Sequence, residues 1–332
     1  MNKNAKIYIA GHKGLVGNAL FRNLKENGYT NIVTKTHTEL DLINQPAVES
    51  FFTNEKPEYV FLTAAKVGGI GANSTYPADF IYKNMLIGFN VIHAAYKAGV
   101  KKLLNLGSSC IYPKMALQPL KEEYLLTGPL ESTNEAYAVA KIAVIKLCST
   151  YNKQYGTNFL SAMPTNLYGI GDNYDPENAH VLPAMIQKIH EAKILGKKEV
   201  VLWGDGTPLR EFLYSDDLAN VLVSLMEHCN AHDLRNEAGD FINIGSGQEL
   251  SIRQLAETIR DVVYDQEFSV IDADPTVMCK ICWDITKPNG TQRKLCDTSR
   301  LMALGYNSWT PFQKGIKIVY NDFLTKREHE NF

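Results

Sequence analysis

The chain has 332 residues, of which 45% are hydrophobic and 21% are charged, and its net charge at pH 7 is −2. This composition excludes an intrinsically disordered chain and shows no basic excess of the kind that binds nucleic acid, so a small-molecule ligand is expected. The length suits one large domain or a nucleotide-binding domain with a smaller lobe. The first apolar run, at residues 5–10, is too short for a secretory signal or a membrane span, which predicts a cytoplasmic protein with no membrane contact.

Strand and helix patterns alternate through the first half of the chain. Strands are predicted at residues 5–10, 32–34, 59–62, 102–106 and 158–163. Helices, the first preceded by a glycine turn, are predicted at residues 11–27, 46–52, 77–98 and 134–155. Because strands that alternate with helices pair in parallel, we predict an α/β fold: a Rossmann-type doubly wound parallel sheet with helices on both faces.

The pattern becomes irregular after Pro164, where glycine and proline punctuate the chain as far as Pro183. Short strands are then predicted at residues 200–202 and 241–244, and helices at residues 216–228 and 251–264. We predict a dinucleotide-binding domain over residues 1–165, with some later segments returning to it. Residues 166–332 are expected to form mainly a smaller α/β lobe over the substrate.

Three glycines, Gly11, Gly14 and Gly17, separate the first strand from the first helix, whose N-terminus can then face a pyrophosphate. Their GxxGxxG spacing favours the layout of short-chain dehydrogenases. The second strand ends without the acidic residue that usually holds the ribose 2′-hydroxyl of NAD. Lys35 at that strand end, with Lys13 in the glycine loop, would instead suit the 2′-phosphate of NADP. A merely solvated Lys35 would leave the cofactor preference undecided.

A reduction site is predicted from Ser108, just after the fourth strand, and from Tyr137 and Lys141, which share one helix face at i, i+4 spacing. A phenol has an ordinary pKa of about 10, and an adjacent ammonium is expected to lower it toward the working range. Tyr137 would protonate a carbonyl oxygen as hydride arrives, and Ser108 would hold the same oxygen. The alternative is a structural Tyr and Lys on an ordinary helix.

Five fragments are more specific than these spacings. They are residues 64–70 (AAKVGGI), 107–113 (GSSCIYP), 164–169 (PTNLYG), 203–212 (WGDGTPLREF) and 287–297 (KPNGTQRKLCD). Together they resemble the GDP-L-fucose synthase family, which belongs to the extended short-chain dehydrogenases. The resemblance implies a GDP-4-keto-6-deoxymannose substrate, epimerised at carbons 3 and 5 and then reduced at carbon 4 with NADPH. It also implies a homodimer that pairs the helices at 77–98 and 134–155.

By the same resemblance Ser108, Tyr137 and Lys141 form the reduction triad, while Cys110 and His180 are the epimerisation base and acid. Both epimerised carbons flank the ketone, so hydrogen bonds that assist reduction also stabilise an enolate. Inverting a centre needs a proton returned from the opposite face, and an imidazole of ordinary pKa about 6.5 can donate it near neutral pH. Outside these motifs Cys110 would be taken for an inert core residue.

The resemblance further implies two sets of binding residues and no metal. The cofactor set is Gly11, Lys13, Gly14, Leu15, Val16, Gly17, Lys35, His37, Asp41, Leu42, Ala64, Ala65, Lys66, Leu106, Tyr137, Lys141, Pro164, Asn166, Leu167 and His180. The substrate set is Ser109, Asn166, Val181, Lys188, Trp203, Arg210 and Lys287. Arg210 suits a diphosphate because its planar fork donates two parallel hydrogen bonds. The CxxC pair of Cys279 and Cys282 lacks a second pair nearby to complete a zinc site.

Three alternatives stay open at this point. In this chain Ile170 and Gly171 follow the PTNLYG motif where the family has Pro-His, which leaves the exact sugar open. A reductase without epimerase activity, acting on a related GDP-4-keto sugar such as a heptose, is the first alternative. A 4,6-dehydratase or 4-epimerase is the second, although Ser109 and Cys110 stand where dehydratases carry Asp-Glu. An inactive nucleotide-sensing protein is the third, and the intact Tyr137 and Lys141 pair argues against it.

Overall fold

The computed structural model describes residues 1–175, 179–265, 278–287 and 289–330. The strands are β1 (Ile7–Ala10), β2 (Ile32–Lys35), β3 (Tyr59–Leu62), β4 (Lys102–Leu106), β5 (Phe159–Pro164), β6 (Asn166–Tyr168), β7 (Glu199–Trp203), β8 (Leu209–Tyr214), β9 (Arg235–Asn236), β10 (Gly239–Ile244), β11 (Glu249–Ser251), β12 (Lys280–Asp284) and β13 (Arg293–Lys294). The helices are α1 (Leu15–Glu26), α2 (Gln45–Glu55), α3 (Ile70–Thr75), α4 (Pro77–Lys97), α5 (Glu135–Tyr155), α6 (Val181–Ile194), α7 (Ser215–His228), α8 (Ile252–Asp265), α9 (Ser299–Ala303) and α10 (Phe312–Glu330).

The main sheet has seven strands in the order β2-β1-β3-β4-β5-β10-β9. Neighbours from β2 to β10 are parallel, and the short β9 runs antiparallel to β10. The strand order reverses between β1 and β3, and ligands of open α/β sheets bind outside the carboxyl ends of the strands at such a switch point. The predicted Rossmann-type sheet is therefore confirmed.

Helices cover both faces of this sheet. On one face α1 and α7 bury Leu20 and Leu222 against β1, β4 and β10. On the other face α2, α4 and α5 form a second core that includes Phe52 and Val144. A Cβ at Gly88 would lie 2.3 Å from a methyl of Val144, so the missing side chain allows α4 and α5 to approach closely.

A smaller lobe is built around β8, which pairs with β6, β11 and β13, and β7 pairs separately with β12. Helices α6, α8 and α10 pack on these strands around a core of their own. Segments after residue 165, namely α7, β9 and β10, complete the main sheet and its helical cover. The domain boundary at residue 165 stays a prediction. Within the described ranges, no helix is both long and apolar enough to cross a membrane.

Candidate active site

The glycine turn after β1 is shaped by two close backbone approaches. Gly11 has a φ of +92°, and a Cβ there would lie 2.7 Å from the backbone N and Cα of Ala64 beyond β3. A Cβ at Gly17 would lie 2.1 Å from the carbonyl oxygen of Gly11. Larger residues would push α1 away from the switch point. Gly14 is the N-cap residue just before α1; its backbone is extended, no side chain caps the helix, and the first turn holds no acidic residue. The backbone N–H groups of the first turn are therefore open to bind the pyrophosphate of a dinucleotide.

An acidic residue lies just beyond β2, although the strand itself ends without one. Glu39, four residues beyond Lys35, accepts hydrogen bonds from the backbone N–H and the hydroxyl of Thr36, each 2.7 Å. These hydrogen bonds lower the pKa of Glu39, and Lys35 contributes to the same effect. Sequence reasoning missed this carboxylate because it lies in the loop, outside the strand. Nearby His37 is exposed, with Nδ1 3.7 Å from a carboxylate oxygen of Asp41.

Several predicted cofactor residues contribute to packing or to the backbone at this edge. Val16, Leu42 and Leu106 are buried in the two cores of the main sheet. The predicted residues Leu15, Ala64, Ala65, Pro164, Asn166 and Leu167 lie at or beyond the carboxyl ends of β1, β3 and β5.

Lys66, a predicted cofactor residue, is tied to α4 by its side chain and its backbone. Its ammonium lies 2.7 Å from a carboxylate oxygen of Asp79 and near the rings of Tyr76 and Phe80. Its backbone exchanges hydrogen bonds of 2.9 and 3.0 Å with the side-chain amide of Asn84. These contacts hold the chain beyond β3 against α4, and the place of Lys66 at the cofactor stays a prediction.

The turn after β4 brings Ser108 and Cys110 together. Ser108 begins a 3₁₀ turn over Ser109–Ile111, and its hydroxyl accepts a hydrogen bond of 3.4 Å from the backbone N–H of Cys110. Cys110 is only 7% exposed and Ser109 only 3%. Ser109 is thus enclosed within the turn, and its contact with substrate stays a prediction.

Helix α5 places the other two reducing groups beside this turn. The ammonium of Lys141 donates a hydrogen bond of 2.7 Å to the carbonyl oxygen of Leu106, and it lies 5.7 Å from the ring centroid of Tyr137. The ring of Tyr137 packs edge-on against Phe80, with centroids 6.2 Å apart. The structure thus assembles Ser108, Tyr137 and Lys141 at one sheet edge, as predicted.

The predicted direction of the Tyr137 pKa is wrong in this structure. Burial raises the pKa of Tyr137, and the neighbouring Cys110 adds to the rise. Burial also lowers the pKa of Lys141 to about 8, because its charge is shielded from water. The ammonium is directed at the Leu106 carbonyl, so it does not offset the desolvation of the phenol.

The two predicted epimerisation residues have different environments. Burial raises the pKa of the Cys110 thiol, opposed first by the charge of Lys294 and then by Ser108 and Lys141. His180 is the N-cap residue just before α6, with extended backbone, and part of it reaches the surface. Desolvation by the surrounding protein lowers the pKa of His180 below its ordinary value of 6.5. Across the described ranges, no hydrogen bond or ion pair joins His180 to Cys110 or Tyr137.

Three predicted substrate residues meet in the smaller lobe. Trp203, the last residue of β7, is 61% exposed. The ammonium groups of Lys188 on α6 and Lys287 beyond β12 lie 5.7 and 5.5 Å from its ring centroid. An exposed aromatic ring beside two cations can stack on a base and attract a diphosphate. Val181, the first residue of α6, is also exposed.

Strand β8 carries Arg210 beside a residue that sequence reasoning missed. Arg210 is half-buried and donates a hydrogen bond of 2.7 Å to the carbonyl oxygen of Leu209, and burial lowers its pKa. Its partner in the parallel ladder is Lys294 of β13. Lys294 lies in the motif at 287–297, from which only Lys287 was selected. On β6, the amide of Asn166 donates a hydrogen bond of 2.8 Å to the carbonyl oxygen of Glu211.

The chain is similar in sequence and in fold to known enzymes that act on nucleotide sugars. Residues 7–245 match the NAD dependent epimerase/dehydratase family. The chain is 54% identical to GDP-L-fucose synthase 1 of Arabidopsis thaliana over 97% of this chain and 94% of that protein. It is 47% identical to GDP-L-fucose synthase of Escherichia coli (strain K12) over 97% of this chain and 98% of that protein. A solved structure of GDP-mannoheptose C4 reductase from Campylobacter jejuni with NADP bound is 41% identical, with a TM-score of 0.86 over 98% of this chain and 99% of that chain.

The fold and the site define an enzyme of the NAD-dependent epimerase/dehydratase family. Within it the chain belongs to the GDP-L-fucose synthase family, as its sequence motifs predict.

Proposed function

We propose that the enzyme epimerises carbons 3 and 5 of GDP-4-keto-6-deoxymannose and then reduces the keto group at carbon 4 with NADPH. The observation that carries the proposal is the assembly of Ser108, Cys110, Tyr137 and Lys141 at the carboxyl end of β4. One site then offers proton donors for the C4 oxygen, from Ser108 and Tyr137, and a base for carbons 3 and 5, from Cys110. Full-length identity of 54% to a GDP-L-fucose synthase supports the same substrate class.

Ser108 and Tyr137 hold the C4 oxygen in this mechanism. Because burial raises the pKa of Tyr137, the phenol keeps its proton at neutral pH and can donate it to that oxygen. When bound, NADPH supplies the hydride to carbon 4. Lys141 anchors α5 to the end of β4 through Leu106, which keeps Tyr137 near Ser108.

Cys110 and His180 act in the epimerisation. Cys110, as its thiolate, removes the proton from carbon 3 or carbon 5, and the negative charge moves onto the C4 oxygen between Ser108 and Tyr137. His180 then donates a proton from the opposite face. After this transfer the thiol carries the proton taken from the sugar, and exchange with solvent resets both groups.

The NADP assignment is supported by the shape of the glycine turn and by the basic residues near it. Side chains at Gly11 or Gly17 would occupy the space in which the turn approaches β3 and α1. The uncapped N-terminus of α1 suits the pyrophosphate, and Lys13 and Lys35 suit a 2′-phosphate. The 41% identical Campylobacter jejuni reductase binds NADP.

The GDP portion of the substrate is assigned to the smaller lobe. Trp203, flanked by Lys188 and Lys287, would stack on the guanine, and the two ammonium groups would attract the diphosphate. Arg210 would donate to a phosphate oxygen.

We also propose a homodimer in which α4 and α5 of one subunit pack against their copies in the other. The proposal is supported by the exposed apolar side chains of Tyr82 and Phe89 on α4 and Tyr155 on α5. Light scattering on the purified chain tests it, because a monomer mass at micromolar concentration would contradict it. The cytoplasmic location stays a prediction.

A second candidate is a reductase without epimerase activity on a GDP-heptose. It is favoured by the 41% identity to the GDP-mannoheptose C4 reductase. Cys110 and His180 argue for epimerisation, but a small change in the placement of the sugar ring can prevent proton removal while both side chains remain.

One experiment separates the two candidates. The enzyme is incubated with GDP-4-keto-6-deoxymannose and NADPH in heavy water, NADPH oxidation is followed, and the product is examined by NMR. Deuterium at both carbons 3 and 5 is the expected result. NADPH oxidation without deuterium would make the enzyme a 4-reductase only, and no oxidation would point to the heptose substrate.

A further inference from the structure

We propose that Tyr112 and Asn243 are positioning residues, whose side-chain hydrogen bond holds the turn that carries Cys110. The inference rests on the proposed epimerase function, in which Cys110 is the base. It assigns this hydrogen bond to epimerisation and not to reduction, because the reducing groups are held by other contacts.

The turn that carries Cys110 is fixed separately at its two ends. At its beginning, the backbone N–H of Gly107 donates a hydrogen bond of 2.8 Å to the carbonyl oxygen of Ala162 on the neighbouring strand β5. At its end, Tyr112 directly follows the turn, and its phenol, in a buried residue, donates a hydrogen bond to Oδ1 of Asn243. Cys110 lies between these two anchors, so its place depends on both.

Asn243 reaches the turn because of its place on β10. In the main sheet β10 lies beyond β5, two strands from β4, which leads into the turn. Successive side chains of a strand alternate between its two faces, so Phe241 and Asn243 share a face. Phe241 packs in the same core cluster as Tyr112. Tyr112 therefore extends past β5 to the face of β10 on which Asn243 lies.

Asn243 is fully buried, and each polar group of its side chain has a partner. Its amide N–H groups donate hydrogen bonds of 2.8 Å to the carbonyl oxygen of Leu120 and 3.3 Å to that of Asp297. Its backbone N–H donates one of 3.0 Å to the carboxylate of Glu122, which also forms an ion pair of 3.2 Å with Arg300. With both amide N–H groups occupied, the amide oxygen is held toward the phenol. Asn243 is therefore a fixed acceptor.

The reducing groups are held by contacts that do not involve Tyr112. The ammonium of Lys141 donates its hydrogen bond of 2.7 Å to the carbonyl oxygen of Leu106, which precedes the turn. The ring of Tyr137 packs against Phe80 of α4. Loss of the Tyr112 hydroxyl should therefore loosen the thiol and leave these contacts in place.

The first test is the alkylation rate of Cys110 by N-ethylmaleimide in the enzyme without substrate. Tyr112→Phe keeps the ring in its core cluster and removes only the hydroxyl. We expect Cys110 to react at least about fivefold faster in this variant, because losing one buried hydrogen bond changes a local opening equilibrium by that order. Cys148, fully buried on α5, is the internal reference, and its rate should be unchanged. Mass spectrometry of tryptic peptides 103–114 and 147–153 measures both thiols.

The second test compares epimerisation with reduction. Deuterium exchange at carbons 3 and 5 should fall at least about tenfold in Tyr112→Phe, because a small displacement of a reacting group is costly. NADPH oxidation should remain near the parental rate. A merely structural role would lower both rates together.

Two further variants separate the hydrogen bond from general packing. Asn243→Leu removes the acceptor, and it carries both tests if Tyr112→Phe does not unfold cooperatively. The double variant Tyr112→Phe/Asn243→Leu should accelerate alkylation no more than Asn243→Leu alone, because both changes remove the same hydrogen bond. Tyr320→Phe is the matched control, since Tyr320 is also buried and its hydroxyl hydrogen-bonds to Nδ1 of His190, at 2.8 Å, in the smaller lobe. It should leave alkylation of Cys110 and deuterium exchange unchanged.

Equal alkylation of Cys110 in the parent and Tyr112→Phe would overturn the inference, as would a parallel rise for Cys148. Exchange at the parental rate in Tyr112→Phe would also overturn it. If the parent itself shows no exchange, the proposed epimerase function is rejected, and alkylation alone then decides whether the hydrogen bond holds the turn.

Discussion

The ammonium of Lys141 donates a hydrogen bond of 2.7 Å to the carbonyl oxygen of Leu106, the last residue of β4. Ser108 and Cys110 follow that strand within four residues, and Tyr137 lies one turn before Lys141 on α5. One buried contact therefore links the helix that carries the phenol to the turn that carries the hydroxyl and the thiol. The same contact buries the Lys141 ammonium away from water, and this desolvation lowers its pKa to about 8.

Lys141→Met should change how stability depends on pH. A lysine whose pKa is about 8 in the folded state and 10.5 when unfolded destabilises the fold fully below pH 8, and this effect vanishes above pH 10.5. As the pH rises between these values, the free energy of unfolding of the parent should therefore increase by about 3 kcal/mol relative to that of Lys141→Met. Urea denaturation at pH 7 and 10 measures the difference. Lys153→Met, an exposed site on α5, should follow the parent, and a pH-independent difference for Lys141→Met would contradict the argument.

Tyr137→Phe should abolish reduction, because the proton donor to the C4 oxygen is lost while ring packing on Phe80 is kept. We expect NADPH oxidation to fall at least about a hundredfold, the lower range for general acid catalysis. Tyr155→Phe on the exposed end of α5 is the control and should retain parental activity. Oxidation near the parental rate in Tyr137→Phe would remove this residue from the mechanism.

Cys110→Ser should spare reduction and stop deuterium exchange at carbons 3 and 5. A hydroxyl is a much weaker acid than a thiol, so serine cannot supply the base at neutral pH. NMR of the substrate recovered from heavy water measures the exchange. The control is Cys282→Ser on β12, which is expected to catalyse deuterium exchange at the parental rate. Exchange at the parental rate in Cys110→Ser would identify a different base.

Gly17→Ala should destabilise the fold and weaken NADPH binding. The added Cβ would lie 2.1 Å from the Gly11 carbonyl oxygen, and backbone must move to admit it. Overpacking of this kind costs about 1–3 kcal/mol. Thermal unfolding and fluorescence titration with NADPH report the two effects. Gly71→Ala, where a Cβ meets nothing within 4 Å, should change neither. A Gly17→Ala variant with parental stability and NADPH affinity would contradict the predicted clash.

Trp203→Ala should raise KM for the GDP-sugar about tenfold, because the ring beside two ammonium groups that is proposed to bind the guanine is lost. The value of kcat should change little. Val201→Ala, exposed two residues earlier on the same strand, serves as the matched control. A fall in kcat with unchanged KM would instead place Trp203 at the chemistry.

Local patterns in the sequence predicted most of the scaffold and the reducing residues. The alternation of strands and helices gave α4 and α5 within one residue at each end, because amphipathic periodicity and proline or glycine boundaries act locally. The glycine turn was identifiable for the same reason. Ser108, Tyr137 and Lys141 were predicted from their spacing and from family motifs.

Electrostatics and long-range neighbours could not be read from the chain. The sequence suggested a lowered pKa for Tyr137, whereas burial raises it, because desolvation depends on what packs around the phenol. The ion pair between Lys66 and Asp79 on α4 likewise depends on the packing of separate elements.

The sequence by itself determined the Rossmann scaffold and the family, since each depends on residues close together in the chain, and it predicted the reducing groups. Only the tertiary structure decided which distant charges become neighbours. Lys294 lies 84 positions after Arg210, and the pairing of β13 with β8 makes them partners in one ladder. Such a contact depends on strand register and burial, which emerge only when distant segments pack together.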